Sequence, residues 1–390
     1  MIKKNNVIIT FMTLGVFILI STPSIKLFYS SVIINFLAIF ILLIAQLLNY
    51  MGDNLSTINL ESNINAYRLK VVVFIFVFLF GIYSTIGNEY LSLEDFIRYL
   101  SVFVALFLVI ISASKINLTL LLRLVLFWGA FISIMKFLGI LRIQYDLGQT
   151  YLTPGVPAGA ALVVCLLGLF TNWFKSNWSK VIAISLILIL VINLLTSRGR
   201  SNLLYPFIIA GVYFLLTIIF SRKYRTKYIL LLVTSVLSLY YIFVHYIMQG
   251  KYMVLERITH GAENVEGEER YFLWSKSLDA ILSNPLGSGI NAHEKLLGFY
   301  PHNIILEVGL SFGIIGMGLI LYIVFLALNQ LKIAIKSIGI INNKEVLILG
   351  FLALYFFLCW NTSFDFGTGY IPLSMLCLFC VKSFSNSSNN

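Results

Sequence analysis

A small set of cationic and imidazole side chains interrupts a sequence that is otherwise strongly apolar. The segment TSRGRSN carries Arg198 and Arg200, EERYFLW carries Arg270, and YPHN carries His302 followed by Asn303. Arginines bind phosphate through paired, planar donors and stay charged where hydration is poor. A neutral imidazole among cations can accept a proton, because neighbouring positive charge disfavours its own protonation. This combination predicts displacement of a lipid-linked diphosphate by a hydroxyl group.

The same chemistry predicts no cofactor. Arginines can offset the charge of a diphosphate leaving group, so a metal ion is not required. In the outer loops, no carboxylate pair or His/Cys cluster has the spacing of metal ligands. The simpler alternative is structural: arginines that extend to lipid headgroups or solvent, and a histidine that only packs. Their expected position on one side of a membrane favours a functional set.

The composition requires an integral membrane protein. Of 390 residues, 59% are hydrophobic and 11% are charged, and the mean hydropathy is +0.94, whereas soluble domains are about half apolar and a quarter charged. The net charge of +11 does not indicate a nucleic-acid partner, because Lys and Arg collect in loops that orient the chain in the bilayer.

Apolar runs near the length needed to cross a bilayer recur about twelve times. They lie near residues 7–22, 31–51, 70–87, 96–113, 117–140, 155–173, 180–196, 203–220, 229–248, 304–328, 346–360 and 368–382. The sequence therefore predicts an all-α membrane protein with one polytopic domain over residues 1–390. The first run is expected to be an uncleaved transmembrane helix, because no signal-peptide cleavage site follows it.

Cation-rich loops alternate with cation-poor ones, and the richest is SRKYRTKY at 221–228. The positive-inside rule places these loops and both termini in the cytoplasm. The long 249–303 segment then lies outside, which in a bacterium is the periplasm. TSRGRSN breaks the rule, because alternation places its two arginines outside. Cations there oppose the expected orientation, so their presence favours a functional role for these arginines.

The long outer segment is expected to be ordered. Within it, EERYFLWSKSLDAILSNPLGSG is predicted to form an amphipathic helix followed by a turn. Its apolar residues recur at three- and four-residue steps, and this stripe is expected to lie on the membrane surface. The stripe consists of Tyr271, Trp274, Leu278, Ile281 and Leu282.

Two features follow His302 along the chain. Gly309, Gly313 and Gly316 recur at helical spacing and predict a smooth face for close packing against another helix. Glu307 does not share a helix face with His302, so it is expected to pair with an arginine rather than to act in catalysis.

These segments resemble the O-antigen polymerase and O-antigen ligase superfamily of membrane glycosyltransferases. His302-Asn303, nine residues, and then GIIG at 313–316 is similar to the family pattern of His, a polar residue, nine positions and G-x-x-G. The short SRG at 197–199 resembles the family's arginine motif. ERYFLW and NPLGSG resemble its outer-loop helix and the turn that follows. The similarity runs from about residue 155 to 320.

The resemblance implies a GT-C-like helical bundle with a large periplasmic loop in the bacterial inner membrane. It implies metal-independent transfer of glycan from undecaprenyl diphosphate. Arg198 and Arg270 would bind the diphosphate, and His302 would activate the acceptor hydroxyl. Arg200 and Asn303 would assist substrate binding, and Arg200 could occupy the family's arginine position instead of Arg198.

Three functions stay open at this point. A polymerase would join lipid-linked repeat units, with membrane lipid and a chain-length regulator protein as further candidate partners. A ligase would pass finished polymer to the lipid A core, but YPHNIILEVG and NPLGSG look more like the polymerase branch. A flippase for lipid-linked oligosaccharides would place more charges within its helices and have shorter outer loops.

Overall fold

The computed structural model of the protein describes residues 2–28, 33–52, 64–85, 92–141, 153–197, 199–220, isolated positions between 226 and 241, 269–336 and 344–385. Throughout these ranges the regular structure is helical. The helices are α1 Ile2–Ile25, α2 Ile33–Gly52, α3 Ile64–Thr85, α4 Leu93–Ser112, α5 Leu118–Phe137, α6 Gly155–Phe170, α7 Asn177–Leu195, α8 Arg200–Phe220, α9 Glu269–Ser283, α10 Ala292–Leu297, α11 Ile304–Lys336, α12 Lys344–Trp360 and α13 Tyr370–Ser385. Short 3₁₀ helices occupy Ala113–Lys115 and Phe366–Thr368.

The helices confirm a multi-pass membrane protein. Among the described residues, seven helices are long and apolar enough to cross a bilayer, and three shorter helices are also apolar. Every predicted span except the ninth coincides with a described helix to within several residues. Most of the ninth, 229–248, lies outside the described residues.

Polar residues mark several helix starts. Side-chain oxygens accept hydrogen bonds from backbone N–H groups of the first turn, which otherwise have no partner within a helix. Ser92 caps α4, Asn117 caps α5 and Ser176 caps α7. The helix boundaries are therefore encoded locally, in short polar segments between long apolar runs.

α12 and α13 form the centre of the bundle. Nearly all side chains of α12 are buried, and residues 370–381 of α13 are buried on every face. A helix that is apolar all round is expected at such a position. Helices at the periphery instead expose large apolar side chains, such as Leu188 of α7 at 62%, as lipid contact requires.

Hydrogen bonds between helix ends show that successive helices alternate in direction. At one end, the hydroxyls of Ser201 in the first turn of α8 and of Ser363 after α12 lie 3.5 Å apart, and the Ser363 backbone bonds His302; we call it the site end. At the opposite end, Lys344 Nζ donates to the carbonyl of Asn172 at 2.9 Å. The cation-rich segments near 172–180 and 332–344 therefore lie away from His302.

α11 is broken at Gly313. This residue has φ 67° and ψ −162°, and the turn at 284–289 packs directly against the break. Three backbone hydrogen bonds join turn and helix: Ser288 N to Leu310 O at 2.7 Å, Gly289 N to Ser311 O at 3.2 Å, and Ile314 N to Pro285 O at 2.9 Å. The expected contact between a glycine face and another helix was wrong at this position. Gly313 accommodates a turn instead, because the break exposes carbonyls that the turn can pair with.

The predicted helix in the outer segment is present as α9, but its predicted stripe is divided between two faces. Leu273 and Ile281 are 5% and 4% exposed, and Ile281 packs on Leu306 and Leu310 of α11. Tyr271, Leu278 and Leu282 of the stripe are on the exposed side. The expectation that the whole stripe lies on a membrane surface was therefore wrong, since α11 buries part of it.

Candidate active site

His302 lies between the tip of the outer segment and the first turn of α11. Its backbone is in the left-handed region, with φ 55°, which is uncommon for residues with a side chain and is often found at functional sites. The imidazole packs edge-on against Tyr300 with ring centroids 4.4 Å apart, and it also contacts Phe299. The imidazole donates a hydrogen bond to the backbone carbonyl of Ser363. These contacts fix the orientation of the ring.

The Nδ1 atom of His302 has no hydrogen-bond partner among the described residues, and it is buried. A buried polar atom of this kind is costly unless a ligand or another group pairs with it. Nδ1 therefore has the chemistry of a proton acceptor.

Arg270 is brought to His302 by α9. Trp274, one helical turn after Arg270, donates from Nε1 to the carbonyl of Pro301 at 2.8 Å. Residues four apart lie on the same helix face, so this bond directs Arg270 toward the segment that holds His302. The two are close enough for the charge of Arg270 to act on the imidazole. In sequence, Trp274 was assigned to the membrane stripe, and its anchoring role was missed.

Burial and charge together lower the pKa of His302 to about 4. Removal of the imidazole from water is the largest cause, and the positive charge of Arg270 is the second. The Ser363 backbone and Asp365 act in the opposite direction. At neutral pH the imidazole is therefore uncharged, as the predicted proton acceptor must be.

The structure describes only one of the two arginines of TSRGRSN. Arg198 lies outside the described residues. Arg200 is half-buried and begins α8 at the site end. The first turns of α8 contact the segment 361–369: Tyr205 OH donates to Thr362 Oγ1 at 3.0 Å, and the hydroxyls of Ser201 and Ser363 are 3.5 Å apart. Since Ser363 also bonds His302, the start of α8 and His302 share one supporting segment.

Lys136 supports the same motif from α5, and the sequence reading did not single it out. Its ammonium group donates to Ser197 Oγ at 2.6 Å and to the carbonyl of Asn193 at 3.1 Å. A cation at the end of a helix is favoured by the helix dipole. Lys136 thereby ties the end of α7, and the residue before Arg198, to α5.

Asn303 is a helix cap. Its Oδ1 accepts from the backbone N–H groups of Ile305 at 3.0 Å and Leu306 at 3.1 Å. The carbonyl part of its side chain therefore starts α11, directly after His302. A direct role of Asn303 in substrate binding stays a prediction.

Glu307 is fully buried, and its contacts differ from the expected arginine partner. It accepts from Phe366 N at 2.8 Å and Tyr99 OH at 3.3 Å, and His293 Nδ1 lies 3.9 Å away. The arginine of this region, Arg98, forms an ion pair with Asp365 instead. Within the described part of the chain, which does not include Arg198, α4 presents Tyr99 to Glu307, and the expected direct arginine partner is not found there.

The fold and site together define an all-helical, multi-pass membrane protein with a histidine–arginine site at one end of its bundle. Residues 183–321 match the model of a family described as O-Antigen ligase. The match over this segment confirms the resemblance to the O-antigen polymerase and ligase superfamily. The matched segment includes Arg198, Arg200, Arg270, His302 and Asn303. No curated protein matches the chain.

Proposed function

We propose that this protein is a surface-polysaccharide polymerase that joins undecaprenyl-diphosphate-linked repeat units. The observation that carries the proposal is the proximity of Arg270 to an uncharged His302 whose Nδ1 is unpartnered among the described residues. The match of residues 183–321 to the O-antigen ligase family model supports an enzyme of O-antigen synthesis. The polymerase function goes beyond that match and rests on the polymerase-like YPHNIILEVG and NPLGSG segments.

In the proposed reaction, the acceptor sugar hydroxyl attacks the anomeric carbon of the donor glycan. A new C–O bond forms as the bond between that carbon and the diphosphate oxygen breaks. Undecaprenyl diphosphate leaves with the bonding electron pair, and Arg270 with Arg198 or Arg200 stabilises its charge. Nδ1 of His302 takes the hydroxyl proton and later releases it to water.

A pKa of about 4 makes His302 a weak base in the protein alone. The donor diphosphate would bring negative charge next to the imidazole and offset Arg270, and both effects raise the pKa toward the working pH. The histidine would thus become an effective base only when the donor is bound. That dependence suits an enzyme whose site must not react before both substrates are in place.

We place the site on the periplasmic face of the inner membrane, with both termini in the cytoplasm. Support comes from the cation-rich segments at the end opposite His302. Undecaprenyl-linked oligosaccharide and membrane lipid would be the binding partners, and a chain-length regulator protein would be a further one.

A ligase that transfers polymer to the lipid A core is the second candidate, because the matching family is described as O-Antigen ligase. Both enzymes would use the same donor site, so mutants of that site cannot separate them. Deletion of the gene can. Without a polymerase, single repeat units still reach the core and give one short step above bare core on a gel. We expect this step. Bare core with long chains held on the lipid carrier would identify the ligase.

A further inference from the structure

The segment between α12 and α13, residues 361–369, connects the candidate site to a buried polar cluster; we call it the 361–369 loop. It lies outside the matched segment 183–321. Near its start, the backbone of Ser363 bonds His302, and Thr362 accepts from Tyr205 OH of α8. The loop therefore touches both the imidazole and the helix that follows the arginine motif.

The first anchor of this loop is Asp365. Its carboxylate forms an ion pair with Arg98 of α4. It also accepts from Thr368 N at 3.0 Å, which caps the 3₁₀ helix. A Cβ on Gly367 would lie 2.3 Å from Arg98 Nε, so the guanidinium packs tightly over the loop backbone. Asp365 lies two residues after Ser363, and its position sets where the Ser363 backbone can be.

The second anchor is Glu307 of α11. Its Oε2 accepts from the backbone N–H of Phe366 at 2.8 Å. Its Oε1 is 3.3 Å from Tyr99 OH, which donates more closely, at 2.7 Å, to Asn291 Oδ1. A carboxylate without exposure is costly unless its oxygens are paired. The two anchors hold the loop to α4 and α11 at adjacent residues.

We propose that Asp365 and Glu307 are positioning residues, which fix the 361–369 loop and through Ser363 hold the His302 imidazole in its reactive orientation. The inference rests on the proposed glycosyl transfer for its effect on turnover. Neither residue contacts the imidazole directly in the interactions described above, so both act through the loop. Asp365, with its partner Arg98, extends the functional unit beyond the matched segment to α4 and the α12–α13 connection.

Asp365→Asn removes the ion pair with Arg98 but keeps the helix cap. The asparagine Oδ1 can still accept from Thr368 N, but the charge opposite Arg98 is lost. A released loop would let the imidazole turn, and misplacement by about 1 Å costs on the order of a hundredfold in rate. We expect kcat to fall about tenfold to a hundredfold, while the donor KM changes less than about twofold, because Arg270 is untouched.

Asp365→Glu keeps the charge and is expected to restore most of kcat. Asp279→Asn is the matched control: it makes the same chemical change at an exposed position of α9 and should leave kcat unchanged. If Asp365 had only a structural role, Asp365→Asn would lower activity only in proportion to the loss of folded protein. Comparing thermal melting of the purified variants tests that role, and a normal melt with reduced kcat supports positioning.

A second measurement does not depend on turnover. Diethyl pyrocarbonate modifies accessible neutral imidazoles, and mass spectrometry of the His302 peptide gives its rate. In Asp365→Asn this rate should rise severalfold over wild type and over Asp279→Asn. Equal rates and equal kcat in all three proteins would overturn the proposal. A wild type that modifies as expected but transfers no glycan would refute the proposed function and leave the positioning role standing.

Discussion

Gly313→Ala tests the contact between the broken helix and the turn that follows α9. The φ of 67° with ψ of −162° at Gly313 belongs to a region that is essentially restricted to glycine. A Cβ there would lie 2.2 Å from the carbonyl oxygen of Pro285 and 2.4 Å from the carbonyl carbon of Leu286. Both are backbone atoms, so no side-chain rotation relieves the overlap, and the turn at 284–289 must move away.

The cost follows from what that movement breaks. The turn loses the three backbone hydrogen bonds to Leu310, Ser311 and Ile314, each with a net value of about 0.5–1.5 kcal/mol. Docking of the turn should therefore weaken by about 2–5 kcal/mol, and even the lower figure is a shift of about thirtyfold toward the undocked state. Because α9 ends at Ser283, release of the turn also loosens the helix that carries Arg270.

Hydrogen–deuterium exchange with mass spectrometry measures this directly in detergent or nanodiscs. Peptides that contain Ser288 and Gly289 should lose protection by about thirtyfold or more in Gly313→Ala, and glycan transfer should fall with it. Gly318→Ala is the matched control on the same helix, because a Cβ there meets nothing within 4 Å and alanine favours helix. Wild-type protection of the turn in Gly313→Ala would refute the docking argument.

Four further predictions concern the site and its orientation. Arg270→Ala should abolish polymer and Arg270→Lys should restore little, because a point charge lacks paired donors, whereas Lys276→Ala on the same helix should be silent; normal polymer from Arg270→Ala would remove it from the site. His302 accepts a proton only when neutral, so activity exists above its pKa and is lost below it. The pH profile of kcat/KM should therefore show an acid limb near pH 4. His302→Ala should still bind the lipid-diphosphate donor but should not turn over. If His302→Ala leaves the position and the height of this acid limb unchanged, the general base is a different residue. Chelators should leave activity intact, and a loss that only a divalent metal reverses would contradict arginine-based stabilisation of the leaving group. A reporter active only outside the cytoplasm should be active when fused near Gly261, and a silent fusion would place the site on the cytoplasmic face.

Composition and the spacing of apolar runs are sufficient to identify the class of protein and much of its local structure. Apolar runs of bilayer length define spans without reference to any tertiary contact, because a backbone in lipid must satisfy its hydrogen bonds within each helix. Polar residues between the runs mark the helix starts, as Asn303 does for α11. The motif residues were also readable, since an arginine or histidine at the edge of a span is conspicuous against an apolar background. Arg270 and His302 were both predicted, and α9 carries Arg270 to the imidazole.

The packing of the helices establishes which apolar surfaces contact protein, and this cannot be read from the sequence. Lipid is as apolar as leucine, so the pattern of a helix in a membrane does not distinguish a face toward lipid from a face toward another helix. This is why the stripe of α9 was misassigned and why Trp274 appeared to be a membrane contact. The partner of Gly313 was hidden for a related reason: glycine signals close approach, but the approaching group can be a helix or a turn.

The support behind His302 was also beyond the sequence. Ser363 and Asp365 lie about sixty residues after the histidine, in a loop without a motif of its own, and Arg98 lies far before it. Their meeting depends on how α4, α11, α12 and α13 are arranged in the bundle, which no local spacing encodes. A buried carboxylate such as Glu307 is recognisable in sequence as costly, but its partners are set by whichever side chains the neighbouring helices present at that depth.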